Sequence, residues 1–263
     1  MNRLIPNLFT LLNLLFGCMA IVSIMQAGLT ATVDAQTGTA LVVLPEKIYW
    51  ASVYIALAAV IDFLDGFVAR LLKTSSELGK QLDSLADVVS FGVAPGLIAY
   101  QFLRYAYAQQ ENGLDISTLA LLPAFIIPCA GAYRLARFNI DTSQAYGFKG
   151  VPIPAAGMLI ASFPLIYWYA ANAWTVELLL NKWFWYSVIL VISYLMISRL
   201  PMMALKFQST SFKDNWPKLV LVAVTLLSAV LLKWLAVPVV FLVYVILSLA
   251  VKKNNKQDLS YSS

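Results

Sequence analysis

The sequence predicts an all-α fold, a polytopic bundle of membrane-spanning helices, and three observations carry that prediction. Hydrophobic residues fill 61% of the 263 positions and charged residues only 12%, about half the charged share of a soluble domain. The apolar runs are too long and too numerous for one buried core, and each suits the ~20 residues that a bilayer-crossing helix needs. No polar stretch is long enough to fold around a core of its own, so no soluble domain is expected.

Hydropathy divides the chain into eight spans, over 8–27, 49–73, 83–108, 118–140, 152–172, 183–200, 217–233 and 235–251. The first apolar run has no small-residue cleavage site and is read as a span, not a cleaved leader. Its opening, IPNLFTLLNLLFG, sets Asn7, Thr10 and Asn13 on one helical face, where they suit hydrogen bonds between helices. The second span runs from IYWASVYIALAAVI into DFLDGFVARLL, and the third begins at Asp83 after a loop, KTSSELGKQ. In the third, Gly92, Pro95 and Gly96 permit a kink and close packing. The fourth ends in RLARFN (134–139), and the fifth is entered through FKGVPIPAAG (148–157), where Pro152 and Pro154 suit a helix start. A short break near Lys233 and Pro238 separates the last two, which form either two spans or one bent, re-entrant element. Cys18 and Cys129 lie in apolar helical sequence and read as small packing residues. No internal repeat is visible, which argues against an inverted-repeat transporter.

Lysine and arginine set the topology. With the N-terminus inside, 14 of the 18 basic residues collect on the inner side, leaving only Lys47, Arg104, Lys182 and Lys233 outside. Both termini are therefore expected in the cytoplasm. Part of the basic surplus is assigned to anionic lipid headgroups, and no nucleic-acid partner is expected.

Four aspartates break the apolar pattern. Asp62, Asp65, Asp83 and Asp87 fall within 26 residues, although the whole chain has only 13 acidic side chains. Carboxylates at lipid depth are costly and normally face a protein interior, where they work. Asp62 and Asp65 share one helical face, and Gly66 and Ala69 continue that surface with little bulk before Arg70. Asp83 and Asp87 share a face of the next helix, and Gly79 offers bare main chain between the pairs. Two carboxylate pairs facing each other across a hairpin form an oxygen-only cage suited to a hard divalent cation, and the nearby arginine supplies a fork for phosphate. Histidine is absent, so proton transfer falls to carboxylates, Lys, Tyr or water, and metal binding to oxygen. The residues alone point to metal-dependent handling of a phosphate-bearing substrate at the cytoplasmic face. Two competing readings stand beside it: a cation or proton transporter using the aspartates, and a helix-capping role for Asp83.

The pattern of Asp62, Asp65-Gly66, Ala69-Arg70, Gly79, Asp83 and Asp87 resembles, without a mismatch, the signature of the CDP-alcohol phosphatidyltransferases. That resemblance implies a six-helix core with its active site at the cytoplasmic face of the inner membrane, and a homodimer. Residues 1–200 would then form the core, 201–251 two additional spans, and 252–263 a polar, disordered cytoplasmic tail. SFGVAPG (90–96), RLARFN and FKGVPIPAAG resemble, more narrowly, the bacterial integral-membrane phosphatidylserine synthase branch, over about residues 5–165. The implied reaction is CDP-diacylglycerol plus L-serine giving phosphatidylserine and CMP. In it Asp62, Asp65 and Asp83 would hold Mg²⁺ or Mn²⁺, and Asp87 would complete the metal shell or act as general base. Asp62, Asp83, Gly66, Ala69, Arg70 and Gly79 would bind the CDP moiety, flanked by Asn7 and Thr10. Arg134 or Arg137 would take the serine carboxylate and Asn139 or Ser90 its amine, with Lys149 in reserve. Arg134, Arg137 and Lys149 could equally serve glycerol phosphate, inositol phosphate or another amino alcohol.

Overall fold

A long apolar run in lipid can satisfy its own backbone only as a helix, and that is what these runs form. The computed structural model describes residues 4–33, 40–72, 76–110, 113–141, 148–170, 172–203 and 212–260. Helix α1 is Leu4–Gln26 and α2 is Tyr49–Leu71. Helix α3 (Glu77–Asp87) passes through a π-helical turn, Val88–Val93, into α4 (Ala94–Ala108). Short α5 (Thr118–Leu121) leads into α6 (Ile126–Ile140), followed by α7 (Ile153–Tyr169), α8 (Ala173–Leu179) and α9 (Lys182–Ile197). Helices α10 (Phe212–Leu232) and α11 (Ala236–Ser260) follow. Strands are minor: β1 (Thr30–Val33) pairs antiparallel with β2 (Ala40–Val43), and β3 (Phe148–Lys149) with β4 (Pro201–Met202).

Five stretches are long and apolar enough to cross a bilayer: Pro6–Gln26, Glu46–Leu71, Glu77–Ala108, Thr118–Ile140 and Asn215–Ala250. The pair α8 and α9, bent by 70°, adds a sixth if taken together. The chain is a multi-pass integral membrane protein. A straight helix of 36 residues would run about 54 Å, well past a hydrocarbon core of ~30 Å. The last stretch is not straight. A 3-10 turn, Lys233–Leu235, interrupts it, Lys233 sits at φ 51°, and α10 and α11 pack on each other.

Four expectations need correction. The third span starts at Glu77, not Asp83, because Ser76 caps it: Ser76 Oγ accepts from the Gly79 N–H at 3.0 Å. Residues 77–82, expected as loop, are helix, while 73–75 lie outside the described residues. Helix α8 occupies a stretch expected as a connection, and Asn172 with Thr175 forms its capping box. Helix α11 continues through Ser260 into the expected disordered tail, a stretch whose Lys, Gln and Leu propagate a helix already nucleated; 261–263 lie outside the described residues. Cys18 and Cys129 are exposed free thiols, not packed ones.

Close packing centres on the π turn. A Cβ on Gly157 would stand 2.8 Å from Phe91 O, and one on Gly96 would stand 3.0 Å from Pro128 Cδ. The glycines of SFGVAPG and of α7 therefore serve helix contact, and the turn is wedged between α6 and α7. Gly150 precedes α7 at φ +78°, with Met196 and Ser198 carbonyls against it, so only glycine fits there without strain.

Candidate active site

Helix α1 packs along both acid-bearing helices, and its polar face meets them. Thr10 Oγ1 donates to Asp65 Oδ2 at 2.9 Å. Asn13 Nδ2 donates to Asp87 Oδ1 at 3.3 Å, and Ser90 Oγ donates to the Asn13 carbonyl at 3.1 Å. Thr10 and Asn13 thus make the interhelical bonds their spacing allowed. The π turn places Ser90, three residues past Asp87, against α1; such bulges recur at functional sites.

Asp62, Asp83 and Asp87 converge, with one oxygen from each within 4.8 Å of the others. Asp65 is outside this trio, its carboxylate turned to Thr10. Asp65 and Asp87 are only 7% and 6% exposed. Asp83 Oδ1 is buried with no hydrogen-bond partner. A buried, unpartnered carboxylate oxygen beside two more carboxylates is a repulsive arrangement that a cation relieves. The donor set is all oxygen, so Mg²⁺ or Mn²⁺ fits and softer metals do not.

Beside the trio opens a cavity of ≈ 580 Å³. Asn7, Thr10, Asp65, Gly66, Ala69, Gly79 and Asp83 line it, together with Pro6, Ser76, Glu77 and Lys80. A Cβ on Gly66 would meet nothing within 4 Å, so that glycine leaves open space to the cavity. Gly79 differs: its Cβ would stand 3.1 Å from Asn7 Oδ1 and from Ser76 Oγ, so it lets α3 approach α1. Arg70 is exposed at the end of α2 and does not line the cavity.

The residues proposed for the acceptor separate into two kinds. Arg134 is 5% exposed, its Nε has no hydrogen-bond partner, and its guanidinium lies within electrostatic reach of Asp87. The others are engaged in holding helices together. Arg137 donates to the Ile197 and Ser198 carbonyls at 2.9 and 3.0 Å, closing the C-terminus of α9. Asn139 Nδ2 donates to Ser84 Oγ at 2.8 Å, and Lys149 pairs with Asp141 at 2.9 Å. Ser90 is spent on Asn13. Sequence reasoning missed Lys80, whose ammonium donates to the Asn139 carbonyl at 2.9 Å on the cavity rim. Its place beside Gly79 was the available signal.

Comparison with known proteins adds the family. The CDP-alcohol phosphatidyltransferase family model matches residues 3–193. A Helicobacter pylori protein named CDP-diacylglycerol–serine O-phosphatidyltransferase is 38% identical over 167 residues, 60% of this chain and 55% of that protein. Proteins of the same name from Bacillus subtilis and Methanocaldococcus jannaschii are 32% identical over 163 residues and 44% over 120. These matches cover 62% and 45% of this chain, and 76% and 53% of those proteins. The chain thus spans about half the length of the Helicobacter and Methanocaldococcus relatives it matches.

Proposed function

The chain belongs to the CDP-alcohol phosphatidyltransferase family, and we propose that it transfers the phosphatidyl group of CDP-diacylglycerol to the hydroxyl of L-serine, giving phosphatidylserine and CMP. The observation that carries this reading is the convergence of Asp62, Asp83 and Asp87 within 4.8 Å at the edge of the ≈ 580 Å³ cavity. The names of the relatives favour serine as the acceptor. So does the state of the cations. A phosphorylated acceptor needs a dense cationic pocket, and Arg137 and Lys149 are already engaged elsewhere.

Asp62 and Asp83 would hold Mg²⁺ or Mn²⁺, with Asp65 adding negative charge on the cavity side and Asp87, the third converging carboxylate, kept for the proton. A divalent ion bound there supplies positive charge that polarises the phosphoryl group and eases departure of CMP. The protein's own residues do the rest. Gly66 and Ala69 form the low wall along which the CDP moiety lies, flanked by Asn7 and Thr10. Arg134 binds the serine carboxylate, leaving the hydroxyl toward Asp87. Asn13 holds one oxygen of Asp87, and the other takes the hydroxyl proton as the serine oxygen bonds to phosphorus and the bond to CMP breaks. The site faces the cytoplasmic side of the inner membrane, as the lysine and arginine bias supports. Residues 1–200 carry this chemistry, with 201–251 as added spans and 252–263 as a cytoplasmic tail. Two copies form the homodimer the resemblance implies, which mass photometry of solubilised protein checks.

The deciding experiment is CMP release by purified protein given CDP-diacylglycerol and Mg²⁺ or Mn²⁺, with and without L-serine. Serine-dependent CMP that disappears on chelation supports the reading. CMP release driven by another alcohol replaces the acceptor, and no release from folded protein removes the enzyme.

A further inference from the structure

Among the described residues that line the cavity, Asp65, Glu77 and Asp83 are acidic and Lys80 alone is basic. The reaction as derived so far makes no use of that lysine, which also stands outside the signature of aspartates and small residues. Arg70, the cation that sequence spacing assigns to phosphate, is exposed at the end of α2 and does not line the cavity. A diphosphate diester carries a negative charge on each phosphoryl group. Brought among carboxylates, it needs positive charge on more than one side. A metal ion at Asp62 and Asp83 supplies one source, and the lining offers Lys80 as the other.

Gly79, Lys80 and Asp83 share one face of α3, the face that borders the cavity. Lys80 and Asp83 are three residues apart, about 4.5 Å along the helix axis, so one diphosphate can meet both the ammonium and a metal ion at Asp83. The lysine is exposed but not loose. Its Nζ donates to the Asn139 carbonyl at 2.9 Å, Asn139 Nδ2 donates to Ser84 Oγ at 2.8 Å, and Ser84 Oγ donates to the Lys80 carbonyl at 3.1 Å. This closed ring fastens α3 to the end of α6 and fixes where the ammonium sits. An ammonium has three N–H donors, so the bond to Asn139 leaves two for phosphate oxygens. We propose that Lys80 binds the diphosphate of the CDP-bearing substrate alongside the metal ion, in the part that sequence spacing gives to Arg70. The proposal rests on the reading of the cavity as the CDP site.

The test titrates CDP and cytidine, with Mg²⁺ present, into the whole chain in nanodiscs, comparing wild type with Lys80→Met and Lys80→Arg. Lys80→Met is expected to weaken CDP binding by about tenfold, the worth of one hydrogen bond to a charged group. Its affinity for cytidine, which has no phosphate, should not change. Lys80→Arg keeps the charge and should keep most of the affinity for CDP. In CMP release, Lys80→Met should raise KM for CDP-diacylglycerol by the same factor and leave KM for L-serine within about twofold. CDP binding by Lys80→Met as tight as that of wild type overturns the proposal. So does an equal loss of CDP and cytidine affinity with a lowered Tm, since a broken tie between α3 and α6 would do that alone. If wild type binds CDP but L-serine drives no CMP release, the serine reading falls, and the CDP affinities still decide for or against Lys80. If wild type binds no CDP, both fall.

Discussion

Asn13 and Asp87, 74 positions apart in the chain, are joined by a hydrogen bond of 3.3 Å from amide to carboxylate. Ser90 returns to the Asn13 carbonyl, so helix α1 and the first turn after α3 are tied at two points. This arrangement engages one oxygen of Asp87, and the proposed reaction assigns the proton to the other. Asp87→Asn keeps the size of the side chain and removes its basicity. CMP release should fall by about 10²–10⁴-fold, the usual worth of a general base, with an unchanged thermal melt. A variant with near wild-type turnover would take Asp87 out of the reaction.

The two arginines of RLARFN should behave oppositely. Arg134→Met replaces a buried guanidinium, whose Nε has no hydrogen-bond partner, by an apolar group of similar length, a change that is often neutral or stabilising. Serine-dependent activity should nevertheless be lost. Arg137→Met removes two bonds to the end of α9 and should lower stability by about 1–2 kcal/mol with little change in KM for serine. Melting curves alongside serine titrations separate the two.

Two glycines make a second contrast. Gly66→Ala meets nothing within 4 Å, so the protein should fold normally while the cavity narrows and KM for CDP-diacylglycerol rises. Gly157→Ala would drive a methyl against Phe91 O at 2.8 Å and should destabilise by about 1–3 kcal/mol. Equal melting temperatures for both variants would contradict this assignment of roles.

Asp62→Asn and Asp83→Asn each remove one of three converging oxygens. Mn²⁺ binding followed by electron paramagnetic resonance should weaken sharply in both. Asp65→Asn, outside the trio, should weaken it less. If all three weaken it alike, Asp65 belongs to the inner coordination set.

Hydropathy made the first four spans legible because the bilayer imposes their length and apolar character directly. The start of α3 was hidden for the same reason: Glu77, Lys80, Gln81 and Asp83 lower its hydropathy although Ser76 caps it as a helix. The π turn at Val88–Val93 has no periodicity to announce it, and its neighbours α1, α6 and α7 are distant in sequence. The aspartates and small residues were readable because their spacing places them on shared faces. Arg70 does not line the cavity, since adjacency in sequence says nothing of which way a terminal turn points. Arg134 and Arg137 were indistinguishable as residues three apart. Only the structure tells the buried Arg134 from Arg137, which caps α9.

Helix α1 also bears on how this protein enters the bilayer. Synthesis proceeds from the N-terminus, so Thr10 and Asn13 are inserted before Asp65 and Asp87. A lone aspartate raises the insertion free energy of a nascent helix by up to about 2.5–3.5 kcal/mol at the helix centre, and by less toward an end such as that of α2, where Asp65 stands. The hydroxyl and amide of α1 would give each acidic helix a hydrogen-bonding partner already in place as it enters the bilayer. The polar face of the first span thus precedes, in order of synthesis, the carboxylates it comes to hold.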